Sequence, residues 1–270
     1  MNESELKEKA DWVRRETLAL HRRCPETRIA SSLSCVELLT VLFYGGMLRF
    51  DARRPLSPER DRFFISKGHG SISFFPILAD LGFFDAMELS RIGEPSGLLK
   101  AIPDPDIPGY ESINGSLGHG LGVGVGAALV LRQKDSPAKV AVLMGDGELY
   151  EGSVWEAVMF GAHQRLSNLL LILDANGASM LDFCRNVIDL NPVEARLASF
   201  DWEVVSIHDG HDICALVRGL TAPRQYPERP LAVVVHTIKG KGIPALESDP
   251  MSHIRVLTSD QVDAALEVLP

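Results

Sequence analysis

Apolar residues return along this chain in two alternating rhythms. Leu6, Ala10, Val13, Thr17 and Leu20 recur at helical spacing and predict an amphipathic helix over residues 4–23. Ser34 stands before CVELLTVLFYG with Glu37 three positions on, a capping-box signature for a second helix. RFFIS (62–66) predicts a short buried strand running into the glycine-rich turn KGHGS. Residues 76–93 read as helix. Prolines 95, 103, 105 and 108 then mark an irregular stretch over 95–116, long enough to suggest a functional loop.

From residue 117 the alternation becomes regular. GHGLGVGVGAALVLRQ predicts a helix with Gly118, Gly122 and Gly126 on one face. VAVLMGD, NLLLILD, EVVSIHD and LAVVVHTIKG predict strands. SVWEAVMFGAHQRL, NPVEARLASF, HDICALVRGL and SDQVDAALEVL predict helices. The strands are unbroken Val/Ile/Leu runs, as expected where both sheet faces are covered. The fold class is therefore α/β, a parallel sheet with helices on both faces, in one domain over 1–270. Polar punctuation (SKGHGS, GDGE, DANG, HDGHD, HTIKGKG) follows the strands, at the edge where open α/β sheets bind ligands.

Composition adds limits. A net charge of −9 argues against nucleic acid or an anionic membrane as partner. Cys24, Cys35, Cys184 and Cys214 form no C-x-x-C pair, so zinc is not expected and reduced thiols are. The polar N-terminus lacks the apolar core of a signal peptide. The most apolar stretch, 121–131, is far short of the about 20 residues of a membrane span. The expectation is a soluble, cytoplasmic protein.

The chemistry concentrates in GDGELYEGSVWEAVMFGAHQRLSNLLLILDANG (145–177). Asp146 ends one strand between two glycines; Asn176 follows the end of the next. Glycines leave amides open to phosphate, and a carboxylate there suits a bridging Mg²⁺. Asn176 adds a neutral oxygen, and parallel neighbours lie about 4.8 Å apart, so both loops can share one ion.

This pattern resembles the thiamine diphosphate-binding motif, and its fuller form resembles transketolase. SKGHGS (66–71), NGSLGHG (114–120), DGHD (209–212) and HTIKGKG (236–242) extend the likeness from about residue 30 to 255. The chain resembles the N-terminal subunit of a split transketolase. The resemblance implies that Asp146, Asn176 and the Ala178 carbonyl hold Mg²⁺ (or Ca²⁺). Gly145, Gly147 and Glu148 would border the diphosphate, and Gly115 and Leu117 the aminopyrimidine. His69 and His253 would line the reaction channel, His69 also touching the cofactor. Glu151 matches a carboxylate linking paired cofactor sites, although a first-turn helix charge is the plainer reading. Lys239 and Lys241 could contact phosphate, although solvated surface lysines are the plainer reading.

Three positions depart from the family: Arg28 and Ile102 stand where histidines are expected, and His119 replaces a glutamine. An arginine cannot act as a base and an isoleucine offers no polar group. The expected activity is transfer of a two-carbon ketol unit from a ketose to an altered aldehyde acceptor. The pyrimidine-side half, with its activating glutamate, would be a separate C-terminal subunit in a heterotetramer, leaving this chain inactive alone. A 1-deoxyxylulose phosphate synthase or 2-oxoacid dehydrogenase component, and a non-catalytic cofactor-binding partner, are the alternatives. The glycines at 118–126 do not spell the dinucleotide fingerprint.

Overall fold

The computed structural model describes residues 1–112 and 115–269. The chain starts with α1 (Glu3–Arg23), α2 (Ile29–Leu33) and α3 (Val36–Tyr44), then β1 (Arg62–Ile65) and α4 (Phe74–Asp80). An alternating part follows: α5 (Gly120–Gln133), β2 (Val140–Gly145), α6 (Gly152–His163), β3 (Leu169–Ala175), α7 (Cys184–Val187), α8 (Val193–Ser199) and β4 (Glu203–Ile207). It closes with α9 (Ile213–Thr221), β5 (Leu231–His236), α10 (Pro244–Glu247) and α11 (Ser259–Val268).

The five strands form one sheet in the order β1-β2-β3-β5-β4, and every pair is parallel. Strand side chains alternate between two cores. Ala141, Leu143, Ile172, Val233 and Val235 pack with α1–α4, α9 and α11. Val140, Val142, Leu171, Leu173 and Val234 pack with α5, α6 and α8. Burial on both faces explains the unbroken apolar runs. In register, Gly145 lies beside Asp174 and Ala175 beside His236, so three strand ends converge on one edge.

Two local expectations are corrected. The predicted helix over 76–93 splits into α4 and a 3-10 segment, Ala86–Arg91, because Gly82 takes a positive φ of 82°. Ser34 does not cap α3, which begins after Cys35 without a side-chain cap. Its hydroxyl donates to the Asp174 carboxylate, 2.7 Å away, and lies 3.1 Å from the Ser31 carbonyl. Glu37 pairs with Arg14 and His211 instead of a capping amide. Long-range carboxylate contacts thus outcompete local capping.

The C-terminal region is tied to α1 by His21, which is fully buried. Its Nε2 accepts from the Leu257 amide at 3.2 Å, so Nδ1 carries the proton toward Thr27 Oγ1, 2.7 Å away. Burial depresses its pKa to about 4. A neutral-only histidine stabilises the fold above its unfolded pKa of about 6.5. That stability is lost as pH falls from about 6.5 toward 4. We expect the urea midpoint to drop over that window, and His21→Asn to lower the midpoint at pH 7 but flatten the drop. An unchanged slope in the variant would rule out this assignment.

Candidate functional site

The loops at the C-terminal edge enclose a cavity of about 430 Å³. β1 supplies Lys67 and His69, β2 supplies Asp146 and Glu148, β3 supplies Asn176 and Ala178, and the segment after β5 supplies Lys239. His253 enters from a 3-10 turn, and Arg28 and Ser31 from α2 and its first flank. Parallel register makes this convergence possible, because each strand releases its loop at the same edge.

Beneath the cavity lies a buried ion pair. Asp174 is fully buried and accepts from Lys67 Nζ, Ser34 Oγ, Thr237 Oγ1 and Asn176 Nδ2. Burial alone would raise the Asp174 pKa, but the Lys67 ammonium overrides it and holds the carboxyl below its usual range. Lys67 is opposed by burial and held charged by Asp174. The Asn176 amide is oriented by this pair: Nδ2 faces Asp174 at 3.1 Å, and Oδ1 accepts from the Ala178 amide at 3.1 Å. Asp174 therefore fixes the orientation of the Asn176 side chain.

Asp146 spans two loops, its oxygens accepting from the Gly147 amide at 2.9 Å and the Gly177 amide at 2.6 Å. Burial and then the nearby Asp174 charge raise its pKa to about 6. A Cβ on Gly147 would come within 3.3 Å of Ser179, so glycine lets the β2 and β3 loops close on one another. Lys239, expected at the surface, is 6% exposed. Its Nζ donates to Ala178 O at 2.8 Å and Ser179 O at 3.3 Å. Burial, then Lys67, pushes its pKa down to about 8. Lys67 and Lys239 are site residues that the motifs do not assign; only their place inside KGHGS and IKGKG points toward the site.

His69 and His253 lie side by side, with ring centroids 4.8 Å apart and planes tilted by 58°. Burial, reinforced by nearby Lys and Arg charges, lowers both pKa values to about 3, so both are neutral. Lys239 Nζ lies 3.2 Å from His253 Nδ1, which therefore accepts and leaves the ring proton on Nε2.

The glycine turn before α5 is held against the same site. Gly118 has φ +86°, and a Cβ there would strike Glu151 and Ser153 at 2.6–2.7 Å. Its amide donates to Glu148 Oε1 at 2.9 Å, and Ser66 Oγ reaches the same oxygen. Glu148 is 2% exposed with Oε2 unpartnered, and burial raises its pKa. Gly118 thus lies outside the helix predicted to contain it; Gly122 and Gly126 face open space. Gly115, Leu117, Gly145 and Glu151 all border the cavity, Glu151 from its exposed rim. Asn114 of the NGSLGHG motif lies outside the described residues.

Two of the three substrate candidates lie outside this cavity. Ile102 is 48% exposed on the loop before Tyr110 and does not line the cavity. His119 is exposed and borders a shallow groove between α5 and α6 instead. The tight Gly118 turn reverses the chain and carries His119 away from the cavity. Arg28 does line it. Among the described residues no helix is long and apolar enough to cross a membrane.

The oxygen donors Asp146, Asn176 and Ala178 border one cavity and suit a hard divalent cation. Among the described residues no cluster of three His, Cys, Asp or Glu side chains could hold a metal. A set with one carboxylate fits a cation completed by phosphate oxygens, and Lys239 stands ready beside it.

Comparison with known proteins agrees with this geometry. The family described as "Transketolase, thiamine diphosphate binding domain" matches residues 29–269. The chain is 36% identical over 267 residues to an apulose-4-phosphate transketolase subunit of Actinobacillus succinogenes, covering 98% of this chain and 96% of that one. It is 32% identical to 6-deoxy-6-sulfo-D-fructose transketolase subunit SqwG of Clostridium sp., covering 98% and 96%. The Campylobacter jejuni transketolase structure superposes with a TM-score of 0.89 at 25% identity, covering 99% of this chain and 43% of that chain. The chain thus spans less than half of that transketolase and nearly all of the two relatives that are themselves subunits. With the match extending over most of its length, the chain belongs to the transketolase family, whose thiamine diphosphate-binding domain it carries.

Proposed function

We propose that this chain is the diphosphate-side subunit of a two-chain, cytoplasmic transketolase and acts as a single domain over 1–270. It is a transketolase-type transferase component, and its reaction moves a two-carbon ketol unit from a ketose to an aldehyde. The observation that carries this reading is the convergence of Asp146, Asn176, Ala178, His69 and His253 on one cavity.

Asp146, Asn176 Oδ1 and Ala178 O would hold Mg²⁺ against the diphosphate, with Lys239 adding charge from the β5 side. Thiamine diphosphate, when bound, supplies the carbanion chemistry that a protein side chain cannot. The chain's own residues bind, orient and manage protons. His253 offers Nε2–H as a donor toward the cavity, and the neutral His69 beside it can accept or donate. Glu148 holds the Gly118 turn in place through its amide, which fixes the wall that would face the aminopyrimidine. Glu151 on the rim would meet the equivalent region of a second copy.

The missing wall is supplied by a partner in this reading. α5 and α6 expose Val123, Val130, Met159 and Phe160 beside the open Gly122–Gly126 face. An apolar face of this kind on two central helices suits a protein interface. We infer that a second copy of this chain and two C-terminal partner chains complete a heterotetramer there. The isolated chain should show no ketol transfer. Adding the partner should restore it, and Phe160→Asp should block assembly, measured by sedimentation, without unfolding the chain. Turnover by the isolated chain would refute the two-chain reading.

A further inference from the structure

We propose that Arg28 selects a substrate bearing a carboxylate next to its reacting carbonyl, the class of short 2-oxo and aldehyde acids. The inference rests on the reading of this cavity as the ketol-transfer site. Arg28 precedes α2, and its carbonyl is pinned by the Ser32 amide and hydroxyl, each at 3.3 Å. Arg28 lines the cavity together with Ser31, three residues on, and with His69 and His253. Ser31 Oγ lies 3.3 Å from His253 Nδ1, which ties this helical turn to the imidazole pair.

Arg28 stands apart from the other cations of the site. Lys67 is neutralised by Asp174, and Lys239 is held by the Ala178 and Ser179 carbonyls and His253 Nδ1, facing the diphosphate side. Among the described residues Arg28 has no carboxylate within ion-pair distance, whereas Arg14, Arg60 and Arg224 each have one. The charges acting most on His69 and His253 are all positive, with Arg28 among them. Asp146 responds instead to Asp174 and Lys239, at the clamp end. Arg28 is therefore the cation beside the imidazoles without a carboxylate partner among the described residues. A guanidinium pairs best with a planar two-oxygen anion, in a fork of parallel hydrogen bonds. On the reading of the two imidazoles as the wall of the reaction channel, an anion held by Arg28 would lie beside them and suit a short substrate more than the far end of a sugar.

The test uses the reconstituted two-chain enzyme with one fixed ketose phosphate donor. Glyoxylate and glycolaldehyde serve as acceptors, differing by carboxylate against hydroxymethyl. Arg28→Gln should lower the ratio of their kcat/KM values, glyoxylate over glycolaldehyde, by about 10- to 100-fold. Arg28→Lys should fall between. A ratio that does not move, or equal losses on both acceptors, overturns the proposal. Calorimetric titration of the chain with oxalate, an unreactive dicarboxylate, provides a readout without turnover. Arg28→Gln should weaken oxalate and leave Mg²⁺–pyrophosphate binding intact. Equal weakening of pyrophosphate would place Arg28 in the diphosphate clamp and sink the idea. Should the wild-type pair turn over neither acceptor while oxalate still depends on Arg28, the ketol-transfer reading fails and the carboxylate site stands.

Discussion

Asp146→Asn is expected to weaken binding of Mg²⁺ and thiamine diphosphate by about 100-fold or more while changing the stability of the unliganded fold by no more than about 1 kcal/mol. Changes in groups that merely support metal ligands reduce affinity about 10- to 100-fold, so loss of the one carboxylate among the donors should reach or exceed that range. The stability effect is small because two contributions oppose each other. Asp146 is held close to the Asp174 charge in a buried setting that disfavours its ionised form. Asparagine removes that repulsion but keeps an oxygen for only one of the Gly147 and Gly177 amides and turns its donor NH2 toward the other. Cofactor titration by tryptophan fluorescence and urea unfolding of the unliganded chain measure the two effects separately. A variant that loses both binding and stability would show that Asp146 is a structural turn residue, the ordinary role of an Asp-Gly pair.

The second large effect is expected at the ion pair below the clamp. Asp174→Ala and Lys67→Met should each destabilise the chain by about 3–5 kcal/mol, because each leaves a buried charge without its partner. Side-chain exposures of 0% for Asp174 and 3% for Lys67 put the pair in the regime where this holds. Asp174→Ala also strands the Thr237 hydroxyl and releases the Asn176 amide. The double variant should lose much less than the sum of the singles, since no lone charge remains. Denaturant unfolding of all three variants tests this. Single losses near 1 kcal/mol, or strict additivity, would show that the pair is solvated or uncoupled.

Asp146, Asn176 and the two histidines are legible in the sequence because each lies in a short motif, most of them next to a strand end. A local pattern fixes such a residue's position along one loop, and the parallel sheet brings the loops together. The continuous apolar runs mark the strands for a related reason: burial on both faces leaves a one-dimensional signature. Ser34 is not legible in this way, because its local context, Glu37 three residues on, matches a capping box. Asp174, 140 residues away, claims its hydroxyl. Lys239 is hidden similarly. Lysine is rarely buried, and nothing nearby in the sequence discloses the Ala178 and Ser179 carbonyls that hold it.

The sequence by itself determined the α/β class, the order of its elements, the metal–diphosphate candidates and the family resemblance. These depend on periodicity and on residues a few positions apart. The tertiary structure decided which candidates share a cavity. It brought Arg28 in, carried Ile102 and His119 out, and buried Lys67 and Lys239 beside the clamp. It also fixed the hydrogen-bonding states: His253 with its proton on Nε2, Asn176 with its amide turned by Asp174. The physical reason is the range of the interactions. Helical and strand periodicity is written between neighbours along the chain. Burial, ion pairing and pKa shifts arise between groups that only the folded sheet edge brings within a few ångströms.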